Sequence, residues 1–263
     1  MQLHLNEFYE PFQPLLTSFG LSRYGLKYRS RPAKAPLKNV IHSFLQVSAV
    51  KPTPYPMLPD GTQAVFISCE QSKIGGAQSK YLEIPILTPG DYFGIRFYPG
   101  ALRQFFELDL SEITDQMVDS HYFQCLKFNV LHHQIYQTQG FHERANLCEA
   151  WLLKHYKPLL SPRFQHALSL VYRSAGSCRI NQLSKEVAVS SRHLNRMFHL
   201  HTGLSTKKFS QIIRLQFACK LLLTPASHAS SVANELGFYD QSHLLNDFQK
   251  LLSLSPRSLI DRF

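Results

Sequence analysis

Cysteine is sparse here and follows no pairing pattern. The five residues, Cys69, Cys125, Cys148, Cys178 and Cys219, are scattered and form no CxxC. An odd, dispersed set excludes a disulfide framework and a zinc-finger spacing, and suits a reducing cytosol. No apolar run approaches the length of a membrane span. The first residues, MQLHLNEFYEPF, lack the charged-then-apolar order of a signal peptide. The expected location is therefore the cytoplasm. Catalytic signatures are missing too: there is no GxSxG elbow, P-loop or GxGxxG. A catalytic metal on adjacent strands needs clustered His and carboxylates. Between Asn39 and Tyr98 the only histidine is His42. No catalytic residue, metal or cofactor is expected.

Positive charge is what the chain has in excess. Its 263 residues carry 28 Lys and Arg against 18 Asp and Glu, a net +10. From Arg163 onward thirteen basic residues stand against five acidic ones; residues 1–162 hold fifteen against thirteen. The last hundred residues are thus the part suited to a polyanion. The length suggests two domains. Lys157-Pro158 and Ser161-Pro162 interrupt the helical pattern, dividing the chain into residues 1–160 and 163–263.

The first domain reads as β-rich. Asn39–Val50, Thr62–Cys69, Tyr81–Leu87 and Tyr92–Tyr98 have strand character, punctuated by Leu58-Pro59-Asp60-Gly61, Pro89-Gly90 and Pro99-Gly100. Gly75-Gly76 signals a hairpin. Short strands at this spacing predict a small barrel or sandwich of cupin-like form. The basic run Arg23–Lys38, broken by Pro32 and Pro36, reads as a solvated loop, with a phosphate-touching arm as the alternative. Arg96, in an otherwise apolar strand, is a candidate effector contact; pairing with a nearby carboxylate is the plainer reading.

A helical connector follows. Ala101–Phe106, Asp109–Val118 with Ser111 as N-cap, Tyr122–Tyr136 and Glu143–Tyr156 all have helical character. Leu147, Ala150, Trp151 and Leu153 give the last an apolar stripe, for core packing or for a dimer seam.

The second domain repeats one arrangement. After a lead-in helix, Phe164–Tyr172, Asn181 caps Gln182–Val187, Ala188-Val189 turns, and Ser190 caps Ser191–Thr202, which stops at Gly203. Leu194, Met197, Phe198 and His201 share one face; Arg192, Asn195, Arg196 and His199 share the other. Arg can pair bidentately with guanine and Asn with adenine. Lys185, Lys207 and Lys208 sit where they could touch phosphates. A long amphipathic helix, Thr206–Leu223, leads to Pro225. Ser231–Leu236, a turn at Gly237-Phe238, and Asp240–Leu251 then repeat the unit, with Gln241, Ser242, Leu245 and Asn246 outward. Two such units on a rigid helix would set two reading helices about 34 Å apart along one side of a duplex.

Here the chain resembles the AraC/XylS family of bacterial transcription regulators. The resemblance covers residues 163–263 through SSRHLNRMF with HLHTGLS, RLQFACKLLL, and SVANELGFYDQSHLLNDFQKLLSLSP. Residues 55–156 resemble the N-terminal domain of some members through MLPDGTQAVFI and GIRFYPGALRQFF. The resemblance implies base-reading roles for Arg192, Asn195 and Arg196 in the first unit, and for Gln241, Ser242, Leu245 and Asn246 in the second. There are departures. Ala188 and Ser253 stand where the family usually has Gly, Thr206 where it has Pro, and Asn246 where it has Arg, with acidic Asp247 next to it. These departures weaken the second unit and leave the first intact.

The expectation is a sequence-specific, double-stranded-DNA-binding transcription activator, and not an enzyme. Its N-terminal domain would sense a small molecule or mediate homodimerisation, and RNA polymerase would be a partner in the bacterial nucleoid. The alternatives are a cupin-like enzyme with a helical appendage and a basic protein-interaction module.

Overall fold

Proline decides where the N-terminal sheet stops. The computed structural model describes residues 9–120, 126–158, 160–224 and 227–262, and eight strands among them form two sheets. They are β1 (Leu26–Pro32), β2 (Ile41–Ala49), β3 (Thr53–Met57), β4 (Gln63–Ile67), β5 (Ser72–Gly75), β6 (Leu82–Ile86), β7 (Gly90–Phe97) and β8 (Met117–Asp119). The larger sheet runs β1-β2-β7-β4-β5-β8, while β3 and β6 pair only with each other. Pro54 faces Pro85 across that pair, and Pro56 lies on the same strand. Proline donates no N–H to a ladder, so these strands are poor bridges between the edges of the larger sheet. The result is an open sandwich. The sandwich half of the expected barrel-or-sandwich is present, and the closed barrel is not.

The six-stranded sheet is apolar on both faces. Phe44, Val65, Ile67, Phe93, Ile95 and Phe97 join a core with α2 (Leu126–Gln137) and α3 (Phe141–His155). Leu45 and Val47 alternate into a second core with Tyr55, Met57 and Ile86 of β3 and β6.

Four local expectations change. Within the basic run, Leu26–Pro32 is a paired edge strand because Leu26 is buried in the second core. Its Arg31 is bound by Asn146 at 2.9 Å and Glu149 at 3.1 Å on α3, so that side chain serves the fold. The hairpin lies at Ser68–Gln71, closed by a 2.8 Å backbone bond, because Gly75 is held on both sides by Ala64 and Met117. The helices expected at Ala101–Phe106 and Asp109–Val118 are single 3₁₀ turns, Leu102–Gln104 and Leu110–Ile113, with Asp109 rather than Ser111 as the cap. On α3 the buried face is Phe141, Ala145, Cys148 and Leu152; Ala150 and Leu153 are exposed.

The C-terminal part is all helix: α4 (Pro162–Arg173), α5 (Ile180–Glu186), α6 (Ser191–Thr202), α7 (Thr206–Leu222), α8 (Ala229–Glu235), α9 (Gln241–Leu252) and α10 (Pro256–Arg262). Two cores hang on α7. Phe209, Ile212 and Ile213 serve the first with α4, α5 and α6; Leu215, Ala218, Cys219 and Leu222 serve the second with α8 and α9. At 17 residues, α7 is a rod of about 25 Å.

The two parts are stitched together along this rod. Gln216 of α7 accepts from the Phe12 N–H at 2.6 Å and donates to the Pro59 carbonyl at 2.9 Å. Tyr9 stacks on Tyr172 of α4 at 4.7 Å. The buried Arg96 pairs with Asp60 in the same region, and its Nε donates to Thr62 at 3.2 Å. Burial alone would lower the Arg96 pKa, but the Asp60 carboxylate together with Tyr55, Tyr28 and Tyr9 holds it above its ordinary value.

Candidate nucleic-acid interface

Each unit is a short helix, a left-handed turn residue and a longer helix. In the first unit the turn residue is Ala188, at φ 55°; in the second it is Gly237, at φ 69°. Only glycine adopts that region without steric cost, so Ala188 carries strain that Gly237 avoids. The longer helices begin alike. The Ser190 hydroxyl accepts from the His193 N–H at 3.2 Å, and the Asp240 carboxylate accepts from the His243 N–H at 2.7 Å. The shorter helix α5 starts earlier than expected, with Arg179 as its cap and no side-chain bond; Asn181 instead meets the Ser191 hydroxyl at 3.3 Å, bracing α5 on α6.

Arg192 and Arg196 project into solvent from α6, and Arg196 rests on the His193 Nδ1 at 2.9 Å. Asn195 is placed differently. It is half-buried, and its Oδ1 accepts from the Thr206 N–H at 3.0 Å, capping the next helix. That oxygen would have to leave Thr206 to read an adenine edge bidentately. Thr206 itself is buried and starts α7, with Ser205 as its cap, so the missing proline is replaced by two hydrogen bonds. Lys185 and Lys207 are exposed, while Lys208 is half-buried.

On α9, Gln241, Ser242, Leu245 and Asn246 are all exposed. The neighbouring Asp247 is not. It is buried against Arg214 of α7 at 3.1 Å, with His243 at 3.9 Å. Its charge is therefore turned inward and matched, which removes it from the reading surface. The weakening expected from Asp247 does not follow from this placement. Between the units lies an open groove of about 840 Å³, lined by Arg179, Lys207, Tyr239, Ser242, Asn246 and Lys250 among others. Three of these six, Arg179, Lys207 and Lys250, are cationic, and the sequence-predicted readers Ser242 and Asn246 share the groove with them and with Asp240.

The far end of α6 is closed off. Gly203 caps it at φ 79°, and its carbonyl accepts from the Thr114 hydroxyl at 2.8 Å. Gln63 donates to the Thr202 carbonyl at 3.5 Å. His201 is buried and stacked on Phe164 at 4.4 Å, and burial, with Arg103 nearby, lowers its pKa to about 4. The N-terminal sandwich thus grips the C-terminal end of α6 while Arg192 and Arg196 stay open to solvent. Nothing in the sequence marked Thr114 or Gln63 for this role, because each acts on a residue distant in the chain.

Among the described residues, no group of three or more His, Cys, Asp or Glu could hold a metal, and no helix is long and apolar enough to cross a membrane. Arg96, the candidate effector contact, is held by Asp60 and Thr62.

A family model described as a helix-turn-helix domain matches residues 183–262, and one described as a domain of unknown function (DUF6597) matches residues 29–119. The HTH-type transcriptional regulator GlxA of Rhizobium meliloti is 34% identical over 77 residues, which are 29% of this chain and 24% of that protein. The HTH-type transcriptional activator RhaS of Pectobacterium atrosepticum is 29% identical over 77 residues, 29% of this chain and 28% of that one. An uncharacterized HTH-type transcriptional regulator of Haemophilus influenzae is 28% identical over 89 residues, 34% of this chain and 30% of that one. The matches thus span under a third of each relative. A crystal structure of ToxT from Vibrio cholerae covers 90% of this chain and 98% of its own, at 10% identity and a TM-score of 0.45.

Proposed function

We infer that the chain is a member of the AraC/XylS family of bacterial transcription regulators, from the helix-turn-helix match over residues 183–262 and the two-unit geometry. The family is one of DNA-binding regulators, not of enzymes. In our reading the whole chain is a sequence-specific transcription activator. It divides into residues 1–160, which sense a small molecule or pair two copies, and residues 163–263, which bind double-stranded DNA. It acts in the cytoplasm at the nucleoid and meets RNA polymerase there.

One observation carries this reading. Two helices of equal length, α6 and α9, are launched by matching caps from matching left-handed turns, and both expose polar faces on a domain of net positive charge. Arg192 and Arg196 would read base edges in one major groove. Gln241, Ser242 and Asn246 would read the next, with less grip because none is charged. Asn195 would contribute only on leaving Thr206. Lys185, Lys207 and Lys208 would hold phosphates. Arg96 serves the effector reading only as a residue an anion could draw away from Asp60.

The test is gel-shift titration of the full chain on sites selected from random duplex DNA, repeated across salt. Phosphate contacts impose a steep fall in affinity with salt. Absent or salt-insensitive binding would overturn the reading.

A further inference from the structure

Each side-chain acceptor at the N-terminal, base-facing end of α6 already serves the fold. The Ser190 oxygen accepts from the His193 N–H at 3.2 Å. The Ser191 hydroxyl is held on α5, 3.3 Å from the Asn181 Oδ1 and 3.2 Å from the Ser184 Oγ. The His193 Nδ1 lies 2.9 Å from the Arg196 guanidinium. A guanidinium only donates, so Nδ1 accepts and the neutral ring carries its hydrogen on Nε2. The Asn195 Oδ1 accepts from the Thr206 N–H at 3.0 Å. The exposed groups left over are the Arg192 and Arg196 guanidiniums, donors without an acceptor. His199 lies about two turns along the helix, beyond the N-terminal residues that reach base edges in this geometry.

The bond between Asn195 and Thr206 is the decisive one. Thr206 is the first residue of α7 and is fully buried, and its N–H precedes the helical ladder. A buried N–H in that place needs a partner from outside the helix. Proline would need none, because it has no N–H and its ring fits the first helical position. Thr206 has the N–H, and the Asn195 oxygen meets it. Swinging that oxygen to an adenine would orphan a buried donor. The cost is of the same order as the gain from one good bidentate base contact. The exchange therefore brings no net affinity, and it would release the joint that sets α6 on α7.

We propose that Asn195 stays on Thr206 in the DNA complex as a positioning residue, and that the first unit therefore reads with donors alone and selects guanine. The proposal rests on the DNA-binding role inferred above and gives its first half-site a base preference. Guanine turns two acceptors, N7 and O6, into the major groove. Adenine and cytosine each present an N–H donor there, which would meet no acceptor on α6. Adenine selection falls to α9, where Gln241 and Asn246 are exposed and neither carboxamide is bonded among the described residues.

The test is the base preference of the full chain at every pair of duplexes selected from random DNA. Arg196→Ala identifies the α6 half-site as the pairs whose preference collapses, and wild type should favour G·C there. Asn195→Ala should lower affinity but keep the ranking of bases within about twofold; a preference lost in it overturns the proposal. Thr206→Pro removes the N–H and frees the Asn195 oxygen. Ser205, at φ −63° and ψ 153°, is already extended as a residue before proline must be, and the Thr206 hydroxyl has no partner to lose among the described residues. This variant should gain an adenine preference of about tenfold at one pair of the α6 half-site. Thr206→Val keeps the N–H and should keep the wild-type ranking. An unchanged ranking in Thr206→Pro, with DNA still bound, overturns the proposal. Should that variant not fold, exchange of the Thr206 amide in the wild-type chain decides. It should be slow in the free protein and stay slow on DNA; faster exchange on DNA means that Asn195 has left. Protein that selects no sequence overturns the DNA-binding reading and this proposal with it, whereas the other adverse outcomes overturn the proposal alone.

Discussion

Asp247 of α9 and Arg214 of α7 form a buried ion pair at 3.1 Å, and the Arg214 guanidinium lies 4.0 Å from the ring centre of Phe238. The pair ties the second reading helix to the rod that carries both units. Removing one partner leaves an uncompensated buried charge. Asp247→Ala should therefore destabilise the protein by about 3 kcal/mol in denaturant unfolding. Binding to a first-unit half-site should persist under native conditions. Loss of first-unit binding with stability unchanged would contradict this.

Arg196 and Asn246 occupy equivalent places in the two units, and only one is charged. Arg196→Ala should cost about 1–3 kcal/mol of specific DNA binding, and Asn246→Ala distinctly less. Anisotropy titrations at one fixed salt concentration compare them directly. Equal losses would mean that the first unit does not dominate.

Ala188 holds φ 55° where its counterpart Gly237 holds φ 69°. Ala188→Gly should relieve the left-handed strain and stabilise the protein by about 0.5–1 kcal/mol, after the entropy glycine adds to the unfolded chain. Gly237→Ala should lose a similar amount. Urea midpoints for the two variants should move in opposite directions.

His201 has a folded pKa lowered from 6.5 to about 4 by burial at the joint between the sandwich and α6. The unfolded chain takes up this proton first as pH falls. The neutral-state stability is thus complete above about pH 6.5 and drains away towards pH 4, by about 2–3 kcal/mol. His201→Phe should flatten that part of the stability-against-pH curve. Identical curves for both proteins would show that His201 does not carry the effect.

Residues near in sequence explain what could be read without coordinates. Helix α6 is bounded by Ser190 and Gly203 as its caps foretold, because a cap hydroxyl bonds an N–H three residues on and a C-terminal glycine answers a carbonyl four residues back. The strand periodicity of Gln63–Ile67 and Gly90–Phe97 was equally local. Predicted helices failed where the chain is short and its bonds go elsewhere. Ile113 and Met117 serve a 3₁₀ turn and β8, and Ala77 receives the Asp115 N–H, so no helical ladder forms there.

Two capped helical units, a basic C-terminal third and proline-broken strands could be read from residue order alone, since caps, charge and proline act within a few residues. Which way Asp247 and Asn195 face, that Arg96 is held by Asp60, and that the sandwich stays open were set by tertiary contacts. Those outcomes depend on partners tens to hundreds of residues away, and burial sets their energies in a way no local pattern records.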